Sequence, residues 1–285
     1  MDLEQTHHHI GHLIDSRKPF LMGRPGGTES DGIYFFLKHR VHSLRNSPRP
    51  YPKSFGELVR LGPGVTHQEI SDLDNFHLDY LNAILASNVI GFGLFAPGVL
   101  RLVDMMEKTG ARITPISHLE PFVAHSQSVT PWTSALYGRK VLVIHPFAET
   151  IQSQYSRKTS ISGVSDIMPE FTLQVVKPPV TFAGEKSNKP WREHFSQLIR
   201  EIEGLDFDIA LTSAGSYGLP IAHEIVKSGK QAIHLGGSLQ LLFGIRGKRW
   251  EARTPFSAYM DKTWVRPSAN EVPARSTEVE GGAYW

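Results

Sequence analysis

A chain of 285 residues with 40% hydrophobic and 20% charged residues has the composition of a soluble globular protein, not a disordered or fibrous one. The formal net charge of +2 gives no ground for nucleic-acid binding, while a sequence pI near 8.7 is compatible with mild attraction to phosphates or anionic membrane surfaces. The absence of cysteine excludes disulfides and thiolate metal sites, and the longest apolar run, Asn88–Leu100, is too short and too broken by glycine and proline to span a bilayer.

The polar, acidic start MDLEQTHHHIGH lacks the basic and apolar regions of a secretory signal. A cytoplasmic protein is expected, with peripheral contact at the inner face of the membrane left open. His8 and His12 stand four apart, a spacing that permits a metal-ligand pair, but a solvated first helix is the favoured reading. Pro19–Gly23 reads as a core strand, followed by RPGGTESDG and then by helical spacing of apolar residues from Asp31 to Arg45. Arg24 to Glu29 therefore forms a loop at the carboxyl end of a strand, where open α/β sheets bind ligands.

Asn46–Pro52 is a proline-rich loop. The pattern then predicts a helix over 69–85, a glycine-containing strand over 89–95, a helix over 98–109, a strand over 112–116 and an irregular segment over 118–130. Strands are expected at 140–145 and 171–176, and an amphipathic helix at 191–202. The stretch from Asp208 to Trp250 reads as strand, small-residue loop, helix, short strand, and a glycine pair opening another helix that ends in the cationic GIRGKRW. Strands alternating with helices argue for α/β architecture with a mostly parallel sheet and helices on both faces. One domain over residues 1–285 is expected, its tail of about 264–285 docking back because the aromatic ending EGGAYW is poorly placed in water.

Four clusters at strand ends can carry chemistry. In Arg24-Pro25-Gly26-Gly27-Thr28-Glu29 an arginine beside glycines can clamp a phosphate. Glu29 can bind a divalent cation or accept a proton, or simply cap the following helix. His145, in HPF, is placed for general-base work or for a hydrogen bond to a substrate hydroxyl. The loop with Ser213, Gly215, Ser216 and Tyr217 resembles a phosphate-cradling turn, with Tyr217 either stacking on a base or sugar or packing in the core. His234, Gly236, Gly237 and Gln240 combine glycines with a helix start, which favours an anion over which Arg246, Lys248 and Arg249 close.

RPGGTE after the first strand, HPF, SAGSYG, and AIHLGGSLQLLFGIRGKRW with the WVRPS…EGGAYW ending resemble a group of bacterial surface-polysaccharide proteins. That group is similar to glycosyltransferases of the GT-D fold, which have a Rossmann-like sheet and use UDP-sugars. The resemblance spans most of the chain, and its specific part runs from Lys140 to Trp285. It implies an Arg-x-Gly-Asp-x-Glu loop in which Asp and Glu meet a divalent metal and the donor diphosphate. Here Arg24, Gly26 and Glu29 match, Gly27 stands in place of the Asp, and His234 stands in place of a later aspartate. Metal (Mn or Mg) is then expected on Glu29 with Asp31 or the diphosphate, or else arginines and lysines neutralise the leaving group without it.

The implied activity is sugar transfer from a UDP-sugar to a hydroxyl of a surface-polysaccharide or lipid-linked glycan, with Glu29 and His145 as catalytic candidates. The partners are the nucleotide-sugar and the glycan acceptor, whose surface is expected from segments 46–64 and 118–132. A homo-oligomer is compatible with the sequence. The alternatives are a nucleotide-sugar modifying enzyme and a non-catalytic nucleotide-sugar-binding partner in the same pathway. A dinucleotide-dependent oxidoreductase is disfavoured, because GxGxxG with a downstream acidic residue is absent where it should stand.

Overall fold

The computed structural model describes residues 1–43, 60–66, 70–93, 97–183, 185 and 187–285. The proline-rich loop Asn46–Pro52 and most of segment 46–64 lie outside the described residues. Among these, seven strands form an all-parallel sheet: β1 (Phe20–Gly23), β2 (Val89–Phe92), β3 (Arg112–Pro115), β4 (Lys140–Ile144), β5 (Thr172–Val176), β6 (Ile209–Thr212) and β7 (Gln231–His234). Their order is β3-β2-β1-β7-β6-β4-β5. The fold is α/β and Rossmann-like.

Why these short runs form a sheet is visible in their period of two. Phe20 and Met22 of β1 point into one core cluster and Leu21 into the other, while Val141 and Val143 of β4 are set against Leu142 and Ile144. The inner strands β1, β2, β6 and β7 are buried at every position, as parallel strands covered on both faces must be. The edge strands β3 and β5 are partly exposed.

Helices α1 (Leu3–Asp15), α2 (Gly27–Ser43), α3 (Ile70–Leu85), α4 (Pro97–Glu107), α5 (Pro121–Ser126), α6 (Ala148–Tyr155), α7 (Val164–Ile167), α8 (Trp191–Glu203) and α9 (Gly218–Lys227) cover the two faces. One face carries α2, α3, α4, α8 and α9. The other carries α1, α5, α6, α7 and a 3-10 helix, Gly236–Phe243. On the first face the small Ala210 and Ala232 let Leu219 and Ala222 of α9 pack closely on the sheet centre.

Helix α1 corrects the expectation of a solvated histidine helix. Leu3, Thr6, His7, Ile10 and Ile14 share a buried stripe, and His7 Nδ1 accepts the backbone N–H of Trp132 at 3.1 Å. Burial pushes the His7 imidazolium down to about 4. Among the described residues no helix is long and apolar enough to cross a membrane.

Two aspects of topology place a site. Ile144, Thr212 and His234 share one register across β4, β6 and β7, so the residues that follow them emerge side by side. After β1 the chain turns to one face as α2, and after β7 it turns to the other as the 3-10 helix. Adjacent strands whose connections leave in opposite directions open a crevice at their carboxyl ends.

Candidate functional site

A cavity of about 250 Å³ lies in that crevice. Its wall takes residues from all four strand-end clusters: Arg24, Gly26, Gly27 and Glu29 after β1; His145 after β4; Ser213 and Gly215 after β6; His234, Gly236, Gly237 and Gln240 after β7, joined by Arg249. Phe147, Phe182, Glu280, Tyr284 and Trp285 complete much of the remaining wall.

Arg24 is a positioned cation. Its Nη1 donates to Glu120, an almost fully buried carboxylate, and to Ser238 Oγ. Glu120 belongs to the irregular segment after β3 and offered no spacing or neighbour in sequence that marked it. Because Glu120 neutralises much of Arg24's charge, the guanidinium acts at the cavity more as an oriented donor fork than as a free cation.

Glu29 sits in the first turn of α2, with its carboxyl folded over Gly26 in the space that a Cβ there would fill. Its own backbone N–H partly holds it, yet enclosure by the cavity wall dominates and raises its carboxyl above the ordinary range. The Gly26 N–H donates to Tyr80 Oη at 3.2 Å, and burial followed by the nearby Glu29 raises that phenol as well. Asp31 is not part of the cavity wall. Among the described residues no three His, Asp or Glu side chains form a metal-holding group. The residues present therefore do not fit a protein-built metal cage of Glu29 and Asp31, and the chemistry below is derived from this chain's own groups.

The two buried histidines differ in tautomer. His145 Nδ1 accepts the Phe147 backbone N–H at 2.9 Å, which puts the neutral ring's proton on Nε2. Burial holds its imidazolium down to about 3. His145 therefore presents an N–H and not a lone pair, which corrects its candidacy as general base. His234 Nδ1 donates to the Thr212 carbonyl at 3.1 Å, with the Thr212 hydroxyl at 3.0 Å, leaving Nε2 as the ring's acceptor. Burial, then Arg24, bring its imidazolium to about 3, so this residue adds no positive charge for an anion.

The small-residue loop divides in two. Ser213 and Gly215 face the cavity, whereas Ser216 and Tyr217 turn into the core, a correction to their candidacy as ligand contacts. Trp191 Nε1 donates to Ser216 Oγ at 2.9 Å, and the Trp191 and Tyr217 rings stack 5.4 Å apart at 3°. The Tyr217 hydroxyl meets Thr181 Oγ1 at 3.0 Å, and burial pushes it up to about 12.

The cationic GIRGKRW segment also divides. Arg246 is spent on structure, its Nη2 donating to the carbonyls of Asp261 and Trp264. Lys248 Nζ reaches the Gly281 carbonyl at 3.1 Å. Arg249 alone of the three lines the cavity, paired with Glu280 and lying 4.9 Å over the Tyr284 ring. The expectation that all three close over an anion is corrected to one.

The C-terminal segment is bound in from several sides. Glu271 accepts from Glu149 N at 2.8 Å and from Thr150 N at 3.3 Å, satisfying the open end of α6 from 121 or more residues away. Gln240 Nε2 donates to the Tyr284 carbonyl at 3.0 Å, and Arg249 N to that of Ala283 at 3.0 Å. The Tyr284 ring fills the space over Gly237 so closely that a Cβ there would lie 2.1 Å from it. Left-handed backbone at Glu280, Gly281 and Gly282 (φ 49°, 69° and 82°) turns the chain so that Glu280 meets Arg249.

This arrangement offers backbone N–H groups at two glycine turns, two arginines, a carboxyl with raised proton affinity, and an aromatic wall. It suits an anionic ligand with a planar or apolar part. Comparison of the chain with protein-family models, with curated proteins and with solved structures gave no match.

Proposed function

We propose that the protein is a glycosyltransferase that moves a sugar from a UDP-sugar to a hydroxyl of a surface-polysaccharide or lipid-linked glycan. The observation that carries this reading is the convergence of Arg24, the glycine turns Gly26–Gly27 and Gly236–Gly237, and Arg249 on one cavity at the carboxyl ends of β1 and β7. Backbone N–H groups and guanidinium donors together suit a diphosphate leaving group.

In this reading the acceptor oxygen attacks the anomeric carbon and the bond from that carbon to the β-phosphate oxygen breaks. Negative charge gathers on departing UDP, where Arg24, Arg249 and the glycine N–H groups stabilise it. The acceptor proton passes to Glu29, whose raised proton affinity suits a base working near neutrality. His145 donates a hydrogen bond and takes no proton. The donor metal that the resemblance implies has no place in these steps. Action at the inner face of the membrane belongs to the same proposal.

The test is incubation of the protein with UDP-sugars and glycan acceptors, with products followed by mass spectrometry. Transfer lengthens the acceptor, and Glu29→Gln lowers turnover by about 10²-fold or more. Near wild-type turnover in that variant would remove Glu29 from the chemistry.

A second reading, a non-catalytic nucleotide-sugar-binding partner, draws on a specific observation. Gly27 stands where the second carboxylate is expected, and Glu29 is folded back on the start of its own helix. UDP-sugar binding without consumption of donor, in the presence of acceptor, would favour it.

A further inference from the structure

Three polar atoms in the cavity residues have no hydrogen-bond partner: His145 Nε2, Gln240 Oε1 and Trp285 Nε1. Buried polar groups are normally paired, so three orphans in one wall mark a place that a ligand completes. His145 and Gln240 are 2% and 0% exposed, so solvent is a poor substitute.

The three are not interchangeable. The His145 proton is fixed on Nε2 because Nδ1 accepts from Phe147, and an indole N–H only donates. Gln240 is oriented by its amide nitrogen, which donates to the carbonyls of Ile245 at 3.3 Å and Tyr284 at 3.0 Å. Its oxygen is therefore committed as an acceptor. The set is two donors and one acceptor, all uncharged. Around it the Trp285 ring lies 6.4 Å from that of Phe147 and 6.1 Å from that of Phe182, giving flat apolar surface.

We propose that this part of the cavity reads the imide edge of a uracil base: His145 Nε2–H and Trp285 Nε1–H donate to ring carbonyls, and Gln240 Oε1 accepts the ring N–H. This assignment rests on the uridine-diphosphate reading above and names the residues that select the base. Cytosine has a bare ring nitrogen where uracil has N–H, and its lone pair would oppose Gln240 Oε1. A purine needs room for a second ring, in a cavity already below the usual ligand-pocket range of roughly 300–1,000 Å³. A sugar hydroxyl rotates to donate or accept and would satisfy the same atoms without distinguishing bases.

The experiment is calorimetric titration of the full chain with UDP, CDP and pyrophosphate. UDP is expected to bind at least tenfold more tightly than CDP. That ratio should fall towards one in two variants. His145→Asn keeps an amide oxygen for the Phe147 N–H but does not reach the position of Nε2. Trp285→Phe keeps a ring and loses the donor. A UDP-to-CDP ratio within twofold in the wild-type chain, with pyrophosphate still bound, overturns the base assignment and leaves the anion cradle standing. A tenfold ratio that survives both substitutions overturns the choice of residues. Failure of all three ligands overturns this inference together with the reading on which it rests. The wild-type ratio alone can overturn the proposal, whatever the variants' stability.

Discussion

Glu29 and His145 show how burial assigns opposite roles to two titratable side chains in one wall. Enclosure disfavours charge in both, which lifts the carboxyl of Glu29 and lowers the imidazolium of His145. A base must be ionised before it accepts a proton, so a raised carboxyl moves the acid limb of a rate profile upwards. The dependence of kcat/KM on pH should therefore fall off above the ordinary glutamate value of 4.5, and Glu29→Gln should abolish that limb. A limb at or below that value, or one that persists in the variant, would assign the titration to another group. The sequence placed both residues at strand ends. It could not assign the tautomer, because that depends on a single backbone N–H two residues along.

At the level of elements, short segments are secured by partners remote in sequence. Helix α6 begins beside the cavity at Ala148, and its open backbone N–H groups are met by Glu271. Glu271→Ala should lower stability by about 1–2 kcal/mol, the range for loss of a helix cap. Urea unfolding reads this directly, and an unchanged midpoint would show that water replaces the carboxylate at no cost. Legibility was uneven at this scale. The alternation of strand and helix, and the four strand-end clusters, could be read because a parallel sheet gathers its carboxyl ends in one place. Which residue of a loop turns inwards could not. Ser213 and Gly215 face the cavity while Ser216 and Tyr217 do not, and the difference is made by Trp191, which lies beyond any local pattern. Arg249 and Arg246 part for a similar reason, since Arg246 is captured by the carbonyls of Asp261 and Trp264.

Across the whole molecule, four histidines are held neutral by burial: His7 at about 4, and His77, His145 and His234 at about 3. Each is lowered from 6.5, so the unfolded chain binds more protons between those values, and stability rises with pH across that window. Stability from these groups is present above pH 6.5 and is lost as pH falls towards 3. Glu29 acts in the opposite sense, since protonation relieves the cost of its burial. Four groups against one should leave the protein acid-labile, with a melting temperature that falls steadily from about pH 6.5 to about pH 4. A flat profile over that range would mean that these imidazoles remain accessible to protons in the folded chain.

The chain contains five tryptophans, and Trp132, Trp191, Trp250 and Trp264 are each no more than 3% exposed. Trp285 differs: it is half-buried, it borders the cavity, and its indole N–H is unpaired. Indole emission responds to hydrogen bonding and to the polarity around the ring, so four emitters serve as a steady background and one reports occupancy. The wall that shapes the cavity thus doubles as an optical gauge, and unlabelled compounds can be screened against this protein by its own light.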